Sequence, residues 1–113
     1  MSTFHEYTQG PTERSGTSYR TIVTAPDGSR YEIHVWSPSW AAGRWVGTVV
    51  ARDASGDPIT AYQHDDMTGT YACVPSVHMP GSYLEHSACY DAGLALIPVA
   101  RRVADAVREA VRS

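Results

Sequence analysis

Lysine and asparagine are absent from the sequence, so arginine supplies every permanently positive side chain. A selective use of arginine would favour binding of phosphate or carboxylate groups, which its planar guanidinium contacts in pairs. Asparagine, however, carries no charge, and its absence together with that of lysine is typical of the codon usage of a GC-rich genome. The bias therefore predicts a bacterium with a GC-rich genome, or its phage, as the source and indicates no particular ligand.

The chain also lacks the composition of several functional classes. No apolar run reaches the length of a membrane span, and the first residues combine neither the basic start nor the apolar stretch of a secretion signal. A net charge of −3 at pH 7 argues against a nucleic-acid-binding surface, which requires clustered cations. We expect a cytoplasmic protein with reduced thiols that binds neither membrane nor nucleic acid.

Motifs for cofactors and for nucleophilic catalysis are missing as well. The sequence contains no Gly-x-Gly-x-x-Gly, no P-loop and no Gly-x-Ser-x-Gly. We therefore predict no cofactor, no metal and no catalytic residue. At 113 residues the chain is long enough for one hydrophobic core. Residues 1–17 are polar and aperiodic, which predicts a flexible arm before a single domain at 18–113.

The first half of the sequence shows a pattern that is typical of antiparallel strands. Alternating β-branched and aromatic runs surround Pro26-Asp27-Gly28, and the arrangement recurs around residues 53–57. This pattern predicts a four-stranded antiparallel meander with strands at 18–25, 30–36, 44–52 and 58–63. The connection at 64–82 is much longer than the typical length of about 4–6 residues, so it is either a functional loop or holds a fifth strand at "GTYACV".

From about Leu84 the apolar period becomes that of a helix. One stripe of apolar residues runs from Cys89 to Val111, and charged residues occupy the opposite face with oppositely charged neighbours three and four positions apart. Pro98 lies within this pattern and removes a backbone hydrogen bond. We expect one long C-terminal helix, kinked at Pro98 and covering one face of the sheet. The predicted fold class is α+β.

Two clusters of residues suggest chemistry between residues 64 and 89. Two cysteines and two histidines could bind zinc if they converged: Cys73, His78, His86 and Cys89. Their spacing matches no ligand pattern, and the helical stripe assigns Cys89 to the core as a small apolar residue.

The second cluster follows the predicted fourth strand and consists of His64, Asp65 and Asp66. Carboxylates beside an imidazole could bind a divalent ion or act as acid and base. Such a run is more often a solvated end of a strand. A small enzyme or metal-binding protein with its site in residues 64–89 remains the alternative function.

The preferred function rests on apolar side chains that the core does not need. If Tyr31, Ile33 and Val35 face the helix, then alternation turns His34 and Trp36 to the other face of the sheet. Further candidates are Trp40 in the following loop and two residues on the polar side of the helix. The predicted partner-binding residues are therefore His34, Trp36, Trp40, Tyr90 and Leu94.

The predicted order of four strands and a helix resembles, in topology alone, that of HicB-like antitoxins and double-stranded-RNA-binding domains. Residues 84–93, at the start of the helix, are acidic where such an RNA-binding domain is basic, and no family is assigned. We expect a small non-catalytic module that pairs with a protein partner or with itself, of the antitoxin, immunity or phage-inhibitor type. An acidic surface would complement a basic target.

Overall fold

The computed structural model describes residues 7–41, 43–53, 55–67 and 69–112. The strands are β1 (Thr8–Ser15), β2 (Ser18–Thr24), β3 (Arg30–Trp36), β4 (Val46–Arg52), β5 (Ala61–Asp65), β6 (Gly69–Cys73) and β7 (Val77–His78). Among the residues described, five antiparallel strands form the main sheet in the order β1-β2-β3-β4-β7, and β5 and β6 form a separate hairpin. Two helices follow, α1 (His86–Ala95) and α2 (Ile97–Arg112). The predicted α+β class is confirmed.

The β2–β3 hairpin forms where the sequence predicts it. Asp27 accepts hydrogen bonds from the backbone and hydroxyl of Ser29, at 3.0 and 2.6 Å, and Gly28 adopts a φ of 89° that favours glycine. The hairpin pairs Ile33 with Thr21 on β2, and β4 pairs Ile33 with Val49 on its other side. This register buries Tyr31, Ile33 and Val35 towards the helices, as alternation predicts.

The N-terminal arm differs from the prediction over residues 8–15, which form β1 and pair with β2. Residues 1–6 of the predicted arm lie outside the described residues. The pairing is interrupted between Gln9 and Thr12, so β1 carries an irregularity of the β-bulge type at Gly10 and Pro11. An edge strand that buries almost none of its side chains leaves no apolar alternation in the sequence, and this explains why the strand was not predicted.

The meander predicts that the strand at 58–63 pairs with the strand before it, and this pairing is wrong. In the described part of the connection after β4, Pro58 and Ile59 stay beside that strand, and Ile59 donates a backbone hydrogen bond to Ala51 at 3.1 Å. Pro58 has no amide hydrogen to extend the ladder, and the chain leaves to form β5. The optional fifth strand exists as β6, but it pairs with β5, while β7 occupies the edge of β4. The predicted loop at 64–82 therefore contains a hairpin turn and two short strands.

The C-terminal helix is two helices rather than one kinked helix. Leu96 separates α1 from α2, and its amide donates to the carbonyl of Gly93 at 3.0 Å. Pro98 lies in the first turn of α2, where a missing amide hydrogen costs little because that turn has no acceptor for it within the helix. The break changes the phase of the apolar stripe, so that Leu94 and Ile97 both become buried.

The core lies between one face of the main sheet and the two helices. It contains side chains from β2, β3 and β4 together with Met79, and α1 and α2 contribute Cys89, Leu94, Ile97, Ala100 and Ala104. α1 approaches the sheet closely at Gly93, where an added Cβ would lie 2.8 Å from Ile33 Cγ2 and 2.6 Å from Met79 Cε. In the part of the chain that is described, neither helix is long and apolar enough to cross a membrane.

Candidate functional site

The face of the main sheet that points away from the helices is the candidate functional site, and we call it the open face. Alternation along the central strands assigns to it side chains that are half-buried or exposed. They include polar, charged and apolar groups: Ser18, Arg20, Ile22, Arg30, Glu32, His34, Trp36, Val46, Thr48, Val50 and Arg52. Glu13 on β1 and His78 on β7 extend the same face at its two edges.

A histidine and a tryptophan form the aromatic part of the open face. The rings of His34 and Trp36 stack with centroids 4.7 Å apart and planes inclined by 27°. His34 Nε2 lies 2.7 Å from the hydroxyl oxygen of Ser18 on the paired strand. Partial burial, and then the positive charge of Arg20, lower the pKa of His34 below its ordinary value of 6.5, while Glu32 opposes the shift. Burial and the charge of Arg20 therefore both favour the neutral form of the imidazole.

An ion-pair cluster lies beside the aromatic pair. Glu32 accepts a hydrogen bond from Arg52 at 2.6 Å and lies 3.8 Å from the guanidinium of Arg20. Arg52 also donates to the carbonyl of Gly56, and its Nε has no hydrogen-bond partner among the described residues. The cluster borders a hollow of about 260 Å³ that Pro11 and Ile22 also line.

The charges of the open face differ from the acidic surface that the composition suggests. Three arginines, Arg20, Arg30 and Arg52, stand against two glutamates, Glu13 and Glu32, on the described strands. Because Glu32 is shared by two of the arginines, the face offers positive charge at its rim. The negative net charge of the chain therefore does not describe this surface.

The five predicted partner-binding residues do not form one surface. His34 and Trp36 lie together on the open face, and Trp40 lies on a single 3₁₀ turn (Ser39–Ala41) with 76% of its surface exposed. Tyr90 is half-buried on α1, and its hydroxyl donates to Gln9 Oε1 at 3.3 Å. Leu94 is only 8% exposed and belongs to the core.

The assignment of Leu94 to an exposed surface is therefore wrong. The prediction assumed that one helical phase runs through Leu96. The break at Leu96 instead turns the side of α1 that carries Leu94 towards the sheet.

The four residues of the possible zinc site are dispersed. Cys89 is completely buried in the core, where burial raises the pKa of its thiol to about 11. His78 is exposed on the open face opposite Thr48, across the sheet from Cys89. The His86 ring packs on Tyr19 and Trp45, at centroid distances of 4.6 and 5.4 Å.

Cys73 is half-buried on β6, in the separate hairpin. In the described part of the chain, no three histidine, cysteine or acidic side chains come together in a metal-binding group. The side chains of His64 and Asp65 lie outside the description, and Asp66 is exposed.

The charged half of the open face was not predicted from the sequence. Arg20, Glu32 and Arg52 lie on three neighbouring strands, and their proximity depends on the register of both strand pairs. The turn at Pro26-Asp27-Gly28 fixes the first of these registers. Counting outward from this turn pairs Ile22 with Glu32 and would have brought Arg20 close to Glu32.

Comparison with known proteins gives no relative: no protein-family model, no curated protein and no solved structure matches the chain. Function is therefore argued from the residues of the open face.

Proposed function

We propose that the protein is a non-catalytic module that binds a protein partner through the open face. One observation carries the proposal: half-buried aromatic and aliphatic side chains occupy a sheet face that none of the described elements covers. The helices pack against β3 and β4 from the other side of the sheet. Tryptophan and arginine are the residues most enriched where protein interfaces concentrate their binding energy.

The chemistry of the open face defines the kind of partner. Trp36 stacked on His34, with Val46 on the neighbouring strand, favours an apolar or aromatic patch. Arg20 and Arg30 at the rim favour carboxylates around that patch. The partner is therefore expected to carry an apolar centre edged by acidic residues, unlike the basic target that the net charge suggests.

A nucleic acid fits this surface less well than a protein does. A phosphate backbone requires several clustered cations, and Glu32, which accepts a hydrogen bond from Arg52 at 2.6 Å, interrupts the group of arginines. Glu13 adds a second negative charge on the edge strand, beside Arg20 in the register. The net charge of −3 opposes approach to a polyanion as well.

The experiment compares two tryptophan variants. Trp36→Ala removes the aromatic centre of the open face, and Trp40→Ala removes an exposed tryptophan outside the sheet as a matched control. The wild-type protein is used to isolate a partner from lysate of the source organism, and the affinity of the purified partner is then measured by calorimetry. We expect Trp36→Ala to weaken binding by about 30-fold, as for a central tryptophan, and Trp40→Ala to leave the affinity nearly unchanged.

Circular dichroism and thermal unfolding verify that both variants are folded. A partner that binds the wild type and Trp36→Ala equally well would contradict the proposal. A partner lost only on Trp40→Ala would contradict it too, because binding would then depend on the loop after β3. Light scattering of the isolated wild type and of Trp36→Ala detects self-association through the open face, because only that association would be weakened by the variant.

A further inference from the structure

Helix α2 carries a second apolar strip that does not face the sheet. Ile97, Ala100 and Ala104 are buried against the core. Beside them a second set recurs at positions i, i+3, i+4 and i+7, namely Val103, Ala106, Val107 and Ala110. This spacing places the four residues along one line of the helix surface. Val103 and Val107 are half-buried, whereas Ala106 and Ala110 are exposed.

This strip is one side of an open groove, which we call the α2 groove. Strand β5 supplies the other side through Ala61 and Tyr62, and the space between them is about 460 Å³. Tyr62 is 69% exposed although it is a large aromatic residue. An apolar groove that is bounded on one side by a helix has the shape that an apolar helix face fills.

From this geometry we infer that the α2 groove holds the α2 helix of a second copy of the chain, in antiparallel orientation. A twofold axis between Ala106 and Val107 places Ala106 opposite Val107 of the second copy. The same axis places Val103 opposite Ala110 of the second copy. Each valine then meets an alanine, so that large and small side chains alternate along the contact. The α2 groove is separate from the open face, so this inference goes beyond the proposed function.

Charges at the edge of the strip select this orientation. Arg102 and Glu109 both lie along the edge of the strip that is farther from the sheet, because each residue of a helix is rotated by about 100° from the one before it. At about 1.5 Å per residue, Arg102 lies about 7 Å before the axis and Glu109 about 4 Å after it. Antiparallel pairing therefore brings Arg102 to within about 3 Å, along the helix axis, of Glu109 of the second copy.

The opposite orientation has no such complementarity. Parallel pairing about a twofold axis along the helices would instead place the Arg102 and Glu109 side chains of the two copies on opposite sides of the contact, so Arg102 could not reach Glu109 of the second copy. The antiparallel pair also brings the two copies of Tyr62 to the same side of the contact. Charge and side-chain size thus both favour an antiparallel second copy over a parallel one.

The test is sedimentation equilibrium of the full chain up to millimolar concentration. We expect a monomer–dimer equilibrium in the wild type. Ala106→Glu places two carboxylates at the centre of the contact and should weaken dimerisation at least about tenfold. Ala95→Glu, a matched change at an exposed position of α1, should leave dimerisation unchanged. Trp36→Ala should also leave it unchanged, so that the outcome is distinguishable from the test of the open face.

A charge exchange tests the orientation. Arg102→Glu alone places like charges together and should weaken the dimer by about tenfold, and Arg102→Glu combined with Glu109→Arg should restore it to within about threefold. As a second readout, Ala106→Cys in a Cys73→Ser background should form a disulfide-linked dimer under mild oxidation, and Ala95→Cys should not. A strictly monomeric wild type would overturn the inference. A dimer insensitive to Ala106→Glu, or a double exchange that fails to restore it, would overturn it as well.

Discussion

The two cysteines of the chain have different surroundings. Cys89 lies at the contact of α1 with the sheet and is completely buried, and burial raises the pKa of its thiol to about 11. Cys73 is half-buried on β6, in the hairpin that stands apart from the main sheet. Because the thiolate is the reactive form, access and ionisation both disfavour reaction of Cys89.

Thiol titration checks this difference. At about pH 8, a thiol with a pKa near 11 is ionised in only about one molecule in a thousand, so we expect one fast-reacting cysteine in the native protein and two after unfolding. Ellman's reagent with stopped-flow detection measures both numbers. Cys73→Ser should remove the fast reaction, and Cys89→Ser should retain it. Two fast thiols in the native wild type would contradict the burial of Cys89.

At the level of single residues, the sequence predicts burial where periodicity is unbroken. The helical stripe assigned Cys89 to the core, and strand alternation assigned Ile33 to the buried face, and both are buried. The prediction for Leu94 was wrong because it assumed a helical phase that the break at Leu96 changes. Periodicity carries no information on where a helix near a proline ends and the next one begins.

Among the elements, the β5–β6 hairpin differs from the main sheet in its support. Its two strands pair with each other, and in the described residues neither forms a ladder with the five-stranded sheet. β3, in contrast, is paired on both sides and contributes three buried side chains to the core. A two-stranded hairpin is marginally stable by itself, so it opens at a lower free energy than the sheet does.

Native-state hydrogen exchange tests this difference between the elements. We expect the paired amides of β5 and β6 to exchange at least about a hundredfold faster than those of β3, since local opening of the hairpin leaves the core intact. β2, which is also paired on both sides, is the internal control and should resemble β3. Equal protection of the hairpin and of β3 would show that the whole chain unfolds as one unit and would contradict this expectation.

The elements that the sequence predicted well are those with local signals. The β2–β3 hairpin depends on a turn three residues long, and α2 depends on its own amphipathic spacing. β1 was missed because its side chains stay in solvent. The partner of the segment after residue 57 was wrong because strand order depends on contacts distant in sequence, which alternation does not specify.

At the scale of the whole molecule, two layers explain which part of the candidate site was predictable. Once the helices cover one face of the sheet, alternation alone turns His34 and Trp36 to the other face. Their neighbours, however, come from other strands: Arg20 of β2 pairs with His34, and Arg52 of β4 donates to Glu32 from 20 residues away in the sequence. The aromatic half of the open face was therefore predictable from one strand, and the charged half required the assembled sheet.

The same assembly makes the stability of the molecule depend on pH. His34 is half-buried between Ser18 and Trp36, and burial followed by the charge of Arg20 lowers its pKa below 6.5. Glu32 on the same strand acts in the opposite direction. Glu13 on β1 and His78 on β7 are the further titratable groups on this face. The folded state therefore holds His34 neutral under conditions where the unfolded chain already binds a proton.

The contribution of neutral His34 to the free energy of unfolding is fully present above the pKa of 6.5 in the unfolded chain. It decreases as the pH falls towards the lower pKa of His34 in the folded state. We expect the urea midpoint of the wild type to decrease between about pH 7 and about pH 5, and His34→Gln to show a smaller decrease. His78→Gln, at an exposed position on the same face, is the matched control and should retain the wild-type slope. Asp27, whose pKa is lowered to about 2 by hydrogen bonds from Ser29 and by Arg101, stays ionised throughout this range. If His34→Gln lost stability on acidification as steeply as the wild type does, the dependence would arise elsewhere in the chain.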